Sequence, residues 1–487
     1  MTVLALDIGT SSARASLYAA DGARIDGVEH RAPYEPRTTP DGGVEHDATR
    51  LLEATVACID AVLPRAGPIR AVGISTFWHG LLGFDAHDRP VTPVYMWADT
   101  RSTPAVDELR TRLEDAAVHA RTGCHLHSCY WPAKLRWLAG RGDRTAVGRW
   151  GSIGELLALE WFGEGATSIS MASATGLFDQ ERTGWDRQML DAAGIDEGRL
   201  FPLRDRGEPW TRLRPSWAAR WPALREAAWF PAIGDGATGN VGSGCTGPSR
   251  IAINIGTSAA MRLVTDTPPR GAPRGLWRYR IDRRLSVVGG ALSEGGNVYA
   301  WCLEVLRLPP EHELERELAM AMEREQGLTL LPFLAGERSP GWNGRARAAI
   351  TGLSLDTTPI EILQAALESV ALRLALVYER LLPLASPAHE VIASGGAVLR
   401  SRVWAQMIAD ALGRPLTLGG ESEASSRGAA LLALDALGAA PGPASAPSDG
   451  GDLIQPDPHR RARYREALAR QRRLYDALFA ERVAGRA

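Results

Sequence analysis

The sequence predicts an α/β protein of two related domains facing each other across a cleft, and three observations carry that prediction. The chain has 487 residues, too many for a single hydrophobic core at roughly 100 to 200 residues per domain. The stretch ALDIGTSSA at residues 5–13 returns as AINIGTSAA at 252–260, identical at six of nine positions with an offset of 247 residues. Strand-like and helix-like runs alternate in both halves. Duplication of a domain is the economical reading, with one domain over 1–245 and the other over 246–487.

The elements follow in order. VLALDIG and ARASLYAADG predict a hairpin with GTSS at its tip and an Asp-Gly turn behind it. IRAVGISTFWHGLLGFDAHDRPVTP alternates like strands, and the segment around LEDAAVHARTG reads as helix. GNVGSGCTGPSR reads as a linker or helix start, after which RIAINIGTSAAMRLVTD repeats the hairpin layout. In TPIEILQAALESVALRLALVYERLLPL a Thr-Pro-x-Glu start precedes apolar residues spaced by three and four, which predicts a long capped helix. A strand VIASGG and a helix SRVWAQMIADALG come next, then a Pro/Ala/Gly/Ser loop LGAAPGPASAPSDGGD, and the Arg-rich tail from His459 predicts a solvated terminal helix.

Composition narrows the function. A net charge of −2 supplies no general attraction for nucleic acid or an anionic membrane surface, so any anionic ligand must be held locally. Cys58, Cys124, Cys129, Cys245 and Cys302 are odd in number and form no CxxC pair, which fits a reducing cytoplasm. The start lacks a basic n-region and a long apolar h-region, and no run of 18 apolar residues occurs, so a soluble cytoplasmic protein is expected. Lys134 is the only lysine among 55 Lys and Arg residues, which marks it either as a position that needs a compact ammonium or as a chance survivor.

The repeated Gly-Thr-Ser turns carry the first chemical signal. Backbone N–H groups and the hydroxyls of Thr10, Ser11 and Ser12, and of Thr257 and Ser258, can face phosphate oxygens at such tips, while Gly admits close approach. Only the first copy carries an acid, Asp7, where the second has Asn254. No GxxxxGK[ST] is present, and GSGCTG lacks the strand and the acid of a dinucleotide fingerprint. In GDGATGN, Asp235 stands between two glycines, an arrangement that suits either an accessible general base or an Asp-Gly turn. Cys124, His125, His127 and Cys129 are too crowded for a structural zinc site. Trp78 and His79, with Asp99 and Arg101 of WADTRS, offer a stacking face, acceptors and bidentate donors of the kind that hold sugar hydroxyls.

DIGTSSAR, WADTRS, YWPAKLRWL, GDG with GSG behind it, NIGTS, AITGLSLDTTPIEILQAALE and SGGAVLRS with WAQMIAD together resemble the FGGY carbohydrate kinases, in matching order along nearly the whole chain. Ile350, Gly352, Leu353, Glu361, Ala365, Ala366 and Glu368 fit the family's second signature. The resemblance implies two actin-like (ribonuclease H-like) ATPase domains with a central cleft that close on ATP, Mg²⁺ and a small-molecule sugar or sugar acid, with no nucleic acid or membrane partner. It leaves the assembly open between monomer and homodimer. It implies that Asp235 accepts the sugar hydroxyl's proton and that Asp7 orients Mg²⁺. Thr10, Ser11, Ser12, Arg14, Gly256 and Thr257 would face the phosphates, and Gly296, Gly395 and Gly396 would lie near the nucleotide. Trp78, His79, Asp99 and Arg101 would line the sugar pocket.

Trp131 stands where the family's first signature carries a small residue, and GGAVLRS is one residue longer than a GGxxxS form, which brings in Arg400 as a candidate adenosine contact. STFWHGLLGFD, WADTRS, TGCHLHSCYWPAKLRWL and SMASATGLFD are most similar to the family's gluconate kinases, which phosphorylate the 6-hydroxyl of D-gluconate; a xylulose kinase is the alternative within the family. Gluconate needs a cation for its carboxylate, for which Arg101 and Lys134 are the candidates. An actin-like ATPase acting by conformational change, or a silent sugar sensor, are the readings from other classes.

Overall fold

In a computed structural model that describes residues 1–141, 146–268, 271–324, 327–419, 423–439 and 451–479, the two copies of the repeated motif form the centres of two sheets. In the first, the hairpin of Thr2–Ile8 and Ser12–Ala19 has Arg24–Pro33 antiparallel on its second strand and Ile69–Thr76 parallel on its first, with Ala228–Trp229 and Ile233–Gly234 beyond. In the second, the hairpin of Arg250–Ile255 and Ala259–Thr265 has Ser286–Leu292 antiparallel on its second strand and Glu390–Ser394 parallel on its first. Trp277–Arg280, Leu416–Leu418 and Leu453–Ile454 complete that sheet. The central strands are buried along nearly their whole length, as their continuous apolar runs require.

The capped helix runs over Pro359–Leu381. Thr358 accepts from the Glu361 amide while the Glu361 carboxylate accepts from the Thr358 amide, a capping box worth about 1 kcal/mol. Its apolar face joins the core of the second sheet through Leu363, Leu367, Val370, Leu374 and Val377. The first sheet has its own core around Leu4, Leu6, Ile59, Ile74, Trp161 and Trp229.

Two expectations change. The glycine-rich stretch before the second hairpin is helical up to Gly242, in a helix spanning Asp235–Gly242. The reason is packing: this helix crosses the later helix Ala424–Ala436 so tightly that a Cβ at Gly242 would lie 1.8 Å from the Ala424 carbonyl, and one at Gly428 would lie 1.8 Å from the Thr238 carbonyl. Through that contact Ala424–Ala436, from the second half of the chain, also covers Thr2–Ile8 and Ile69–Thr76 of the first sheet. The tail, expected to be solvated, is a helix over Pro458–Phe479 that buries Tyr464, Leu468 and Gln471. Its polar composition hid one docking face, where Gln471 donates to the Leu330 and Ser369 carbonyls and Tyr475 donates to Glu337. Most of the Pro/Ala/Gly/Ser loop, residues 440–450, lies outside the described residues. No helix among the described residues is long and apolar enough to cross a membrane.

Candidate active site

The two hairpin tips meet at the cleft. Asp7 pairs across its hairpin with Arg14, and Asn254 pairs with Ala260. The second turn is one residue tighter: the Gly9 amide donates to the Ser12 carbonyl, whereas the Gly256 amide donates to the Ser258 carbonyl. Two adjoining cavities open here, and Asp235, Asn254 and Arg262 line both.

The first cavity has Asp7, Arg14, Ser243, Ser394, Gly395 and Glu423 on its walls. The Arg14 Nη1 lies 3.4 Å from Asp7 Oδ2 and 3.1 Å from Glu423 Oε2, so one guanidinium spans carboxylates from both halves of the chain. Burial raises the Asp7 pKa to about 6, against the opposing pull of Arg14. Oxygen donors at a buried carboxylate suit a hard divalent cation such as Mg²⁺. Among the described residues no three His, Cys, Asp or Glu side chains gather as a metal site. Gly395 has φ +99°, and a Cβ there would lie 2.4 Å from the Ile255 carbonyl, so the chain can turn into the cleft only with glycine at this point. Gly296 packs directly on the second tip, its amide donating to Gly256 at 2.8 Å.

Asp235 is the first residue of its helix, where the backbone dipole favours negative charge. Burial pushes its carboxyl up from the usual range, and Arg262 is the leading opposing influence. Its Oδ1 accepts from the Gly236 amide at 2.7 Å. The flanking glycines have a defined purpose: a Cβ at Gly234 would lie 1.9 Å from the Trp78 indole, and one at Gly236 would lie 2.4 Å from the same ring and 2.9 Å from Arg262 Nε. The GDG motif thus makes room for an aromatic wall and a cation beside the acid.

The second cavity is built from Thr10, Gly256 and Thr257 of the two tips and an aromatic surround. Trp277 and Tyr279 stack at 4.2 Å, Trp78 meets both edge-on, and the Tyr130 and Tyr279 hydroxyls are hydrogen-bonded at 2.7 Å. His79 holds a positive φ of 68° and its Nδ1 donates to the Ala174 carbonyl at 2.7 Å. Burial lowers its pKa to about 3, so the ring is neutral and Nε2 is an acceptor for a hydroxyl. Arg338 is laid over Trp97 at 4.5 Å, and the Nε atoms of Arg262 and Arg338 are both buried without a hydrogen-bond partner.

Several sequence candidates lie elsewhere. Asp99 and Arg101 line neither cavity; Arg101 bonds Asp99 and Glu45 and stacks on Trp137 at 4.9 Å, so WADTRS is a buried ion-pair cluster that sends only Trp97 into the pocket. Lys134 also stays out of both cavities. Its ammonium donates to the carbonyls of His79 and Cys129 at 2.9 Å and of Tyr95 at 3.5 Å, one acceptor per proton, and burial lowers its pKa to about 8. The lone lysine therefore holds the loop that presents His79 and has no proton left for a substrate carboxylate. Ser12 is buried behind the first tip, and Ser11 is exposed. Gly396 begins a short helix beside Gly395, and Arg400 turns back to its carbonyl at 2.8 Å. Trp131 is packed among Val106, Leu126 and Leu138 and lines neither cavity. His125 pairs with Asp115 at 2.7 Å and the five cysteines are free and buried, and of this Cys/His cluster Cys129 borders the second cavity.

Sequence reasoning found Trp78 and His79 but missed Arg262, Arg338, Glu423 and the rest of the aromatic surround, Trp97, Tyr130, Trp277, Tyr279 and Trp342. Arg262 left a signal: a lone charge in the otherwise apolar strand AAMRLVT. Arg338 and Glu423 sit in loops whose positions no local pattern reveals.

The FGGY family of carbohydrate kinases matches this chain through its N-terminal domain model over residues 2–242 and its C-terminal domain model over residues 251–437. A gluconokinase of Bacillus subtilis (strain 168) is 29% identical over 454 residues, 90% of this chain and 88% of the relative. The fold is that of a gluconate kinase from Lactobacillus acidophilus, with a TM-score of 0.90 at 23% identity over 99% of this chain and 98% of that one. A xylulose kinase from the same organism superimposes equally well, with a TM-score of 0.90 at 23% identity over 99% of each chain.

Proposed function

This chain belongs to the FGGY family of carbohydrate kinases, phosphotransferases with an alcohol acceptor, and from that premise we propose that it phosphorylates the 6-hydroxyl of D-gluconate. One observation carries the choice of a sugar acid over a neutral sugar. The charged side chains lining the acceptor cavity, among the described residues, are one acid, Asp235, and two guanidiniums, Arg262 and Arg338. A cavity with an excess cation half-removed from water is costly to fill with a neutral polyol and favourable to fill with a carboxylate.

ATP with Mg²⁺ would supply the phosphoryl group and neutralise its charge, held through Asp7, Glu423 and Gly395 of the first cavity and through the two tips, which border the second. Asp235, at the junction of the cavities, takes the proton of the acceptor hydroxyl as the new bond forms. Its raised pKa brings it closer to the working pH, where a general base is most effective. Arg262 beside it opposes the effect of burial on the carboxyl and lines the same junction, where it would face the transferring group. Trp78 and the Trp277–Tyr279 pair exclude water from the acceptor.

The test is a coupled ATP assay of D-gluconate against xylulose, ribulose, glycerol, erythritol and fuculose. D-gluconate is expected to give the highest kcat/KM, with 6-phospho-D-gluconate as product. A neutral sugar with the higher value would overturn the substrate, and ATP turnover independent of any sugar would favour an actin-like ATPase.

A further inference from the structure

The two guanidiniums of the acceptor cavity are not equivalent. Arg262 lines both cavities, and its Nε lies 2.9 Å from where a Cβ of Gly236 would be, so it belongs to the junction and its charge is matched by Asp235. Arg338 lines only the acceptor cavity. There it stacks on Trp97 at 4.5 Å, and its Nη2 donates to the Leu292 carbonyl at 2.5 Å. Those contacts fix the plane of the guanidinium and leave its remaining N–H groups, the buried Nε among them, without a partner. Among the described residues Arg338 is in no ion pair.

Neither acid next to it is paired with it. Glu337, next in sequence, is engaged with Arg373 and Tyr475. Glu294 is buried and receives the Ala335 amide at 3.3 Å, and burial raises its pKa to about 8, so it is largely uncharged near neutrality. Arg338 is thus an oriented cation that forms no ion pair among the described residues and lines the acceptor cavity only, while Asp235, which it also influences, feels Arg262 more strongly.

We infer that Arg338 is the specificity-determining residue of this enzyme: it binds the carboxylate of the sugar acid and so directs the opposite, hydroxyl-bearing end of the carbon chain to Asp235. This rests on the sugar-acid reading above. The planar fork of a guanidinium matches a carboxylate with two parallel hydrogen bonds, which fixes direction as well as charge. An acceptor without the carboxylate leaves the cation desolvated and unpaired, and such a loss discriminates far more strongly than a change of shape.

The experiment is steady-state kinetics of the full chain with ATP and Mg²⁺ on D-gluconate and on D-gluconamide, in which an uncharged amide replaces the carboxylate. The wild-type protein is expected to prefer gluconate by about 10²-fold in kcat/KM, the size of effect that follows loss of one partner of a buried charge pair. Arg338→Met is expected to raise the gluconate KM by a similar factor, to change kcat far less and to abolish the preference, and Arg338→Lys to restore part of it. If the wild type phosphorylates gluconate and Arg338→Met keeps the preference, this assignment is wrong while the sugar-acid reading stands. If the wild type does not act on gluconate, both fail. Calorimetric binding of gluconate and gluconamide to the wild type decides the matter should Arg338→Met not fold: equal affinities would refute the role of Arg338.

Discussion

The Trp78 indole lies over Gly234 so closely that a Cβ at Gly234 would fall 1.9 Å from its Cε2 and Nε1. Gly234 cannot retreat, because its strand is paired with Thr76 and its amide donates to Ser170 Oγ at 3.2 Å. The ring is tied as well, its Nε1 donating to the Ser170 carbonyl at 3.3 Å. Gly234→Ala should therefore displace the ring from the acceptor wall at a cost of about 1–3 kcal/mol, the range for overpacking a core site. Melting curves and acceptor titrations check this: a lowered Tm and an acceptor KM raised about 10-fold or more are expected, with ATP affinity unchanged. An unaltered acceptor KM would mean that Trp78 does not shape the pocket.

Asp235→Asn keeps the size of the side chain and an acceptor for the Gly236 amide but removes the base. The variant should fold, bind ATP and lose about two to four orders of magnitude in turnover. Near-normal kcat would reassign the base, whereas loss of ATP binding would show that Asp235 serves the nucleotide instead.

How legible was this site in the chain? Features with a local period or a repeat were readable: both hairpins and the capped helix from Pro359. The site also depends on what lies across the cleft, and that has no sequence period. Asp99, Arg101 and Lys134 have the right chemistry for a sugar acid, yet folding spends all three on ion pairs and carbonyls, because a buried charge must find partners wherever it sits. Arg262, beside Asp235, and Arg338, stacked on Trp97, keep unpaired buried N–H groups facing the cavity, a circumstance visible only in three dimensions. Likewise the helix Ala424–Ala436 returns to the first sheet through glycine contacts made some 186 residues away in sequence, between Gly242 and Gly428.

Lys134→Met separates support from recognition. Three carbonyls, those of His79, Cys129 and Tyr95, would lose their donor, costing about 1–3 kcal/mol and loosening the positive-φ turn at His79. Chemical denaturation should show the lost stability, and kcat/KM should fall for gluconate and gluconamide alike. A selective loss for gluconate would restore Lys134 as the carboxylate partner.

Glu294 gives a pH signature of its own. Burial raises its pKa from 4.5 in the unfolded chain to about 8, so between those values the native protein binds more protons than the unfolded one. Its contribution to stability is full below pH 4.5 and is lost as the pH rises through about 8. Glu294→Gln removes that dependence. Urea unfolding from pH 5 to 8.5 should show the wild type losing stability relative to the variant throughout the window; parallel curves would mean that the carboxyl is solvated.

Asn254→Asp tests why only one of the two repeated turns carries an acid. Asn254 stands at the junction of the cavities with Asp235, in the first of which Asp7 also lies, and its Nδ2 donates to Ser394 Oγ at 3.2 Å. An acid there would give up that donor and put a third carboxylate where a triphosphate has to enter. Like charges a few ångströms apart in a partly buried cleft repel by about 1–4 kcal/mol. Calorimetry with ATP and Mg²⁺ should then show affinity reduced about 10-fold or more, with part of the loss recovered at high salt, where exposed charge is screened. If affinity instead rises, the new carboxylate has become a metal ligand, and the division of labour between Asp7 and Asn254 would need another cause than charge.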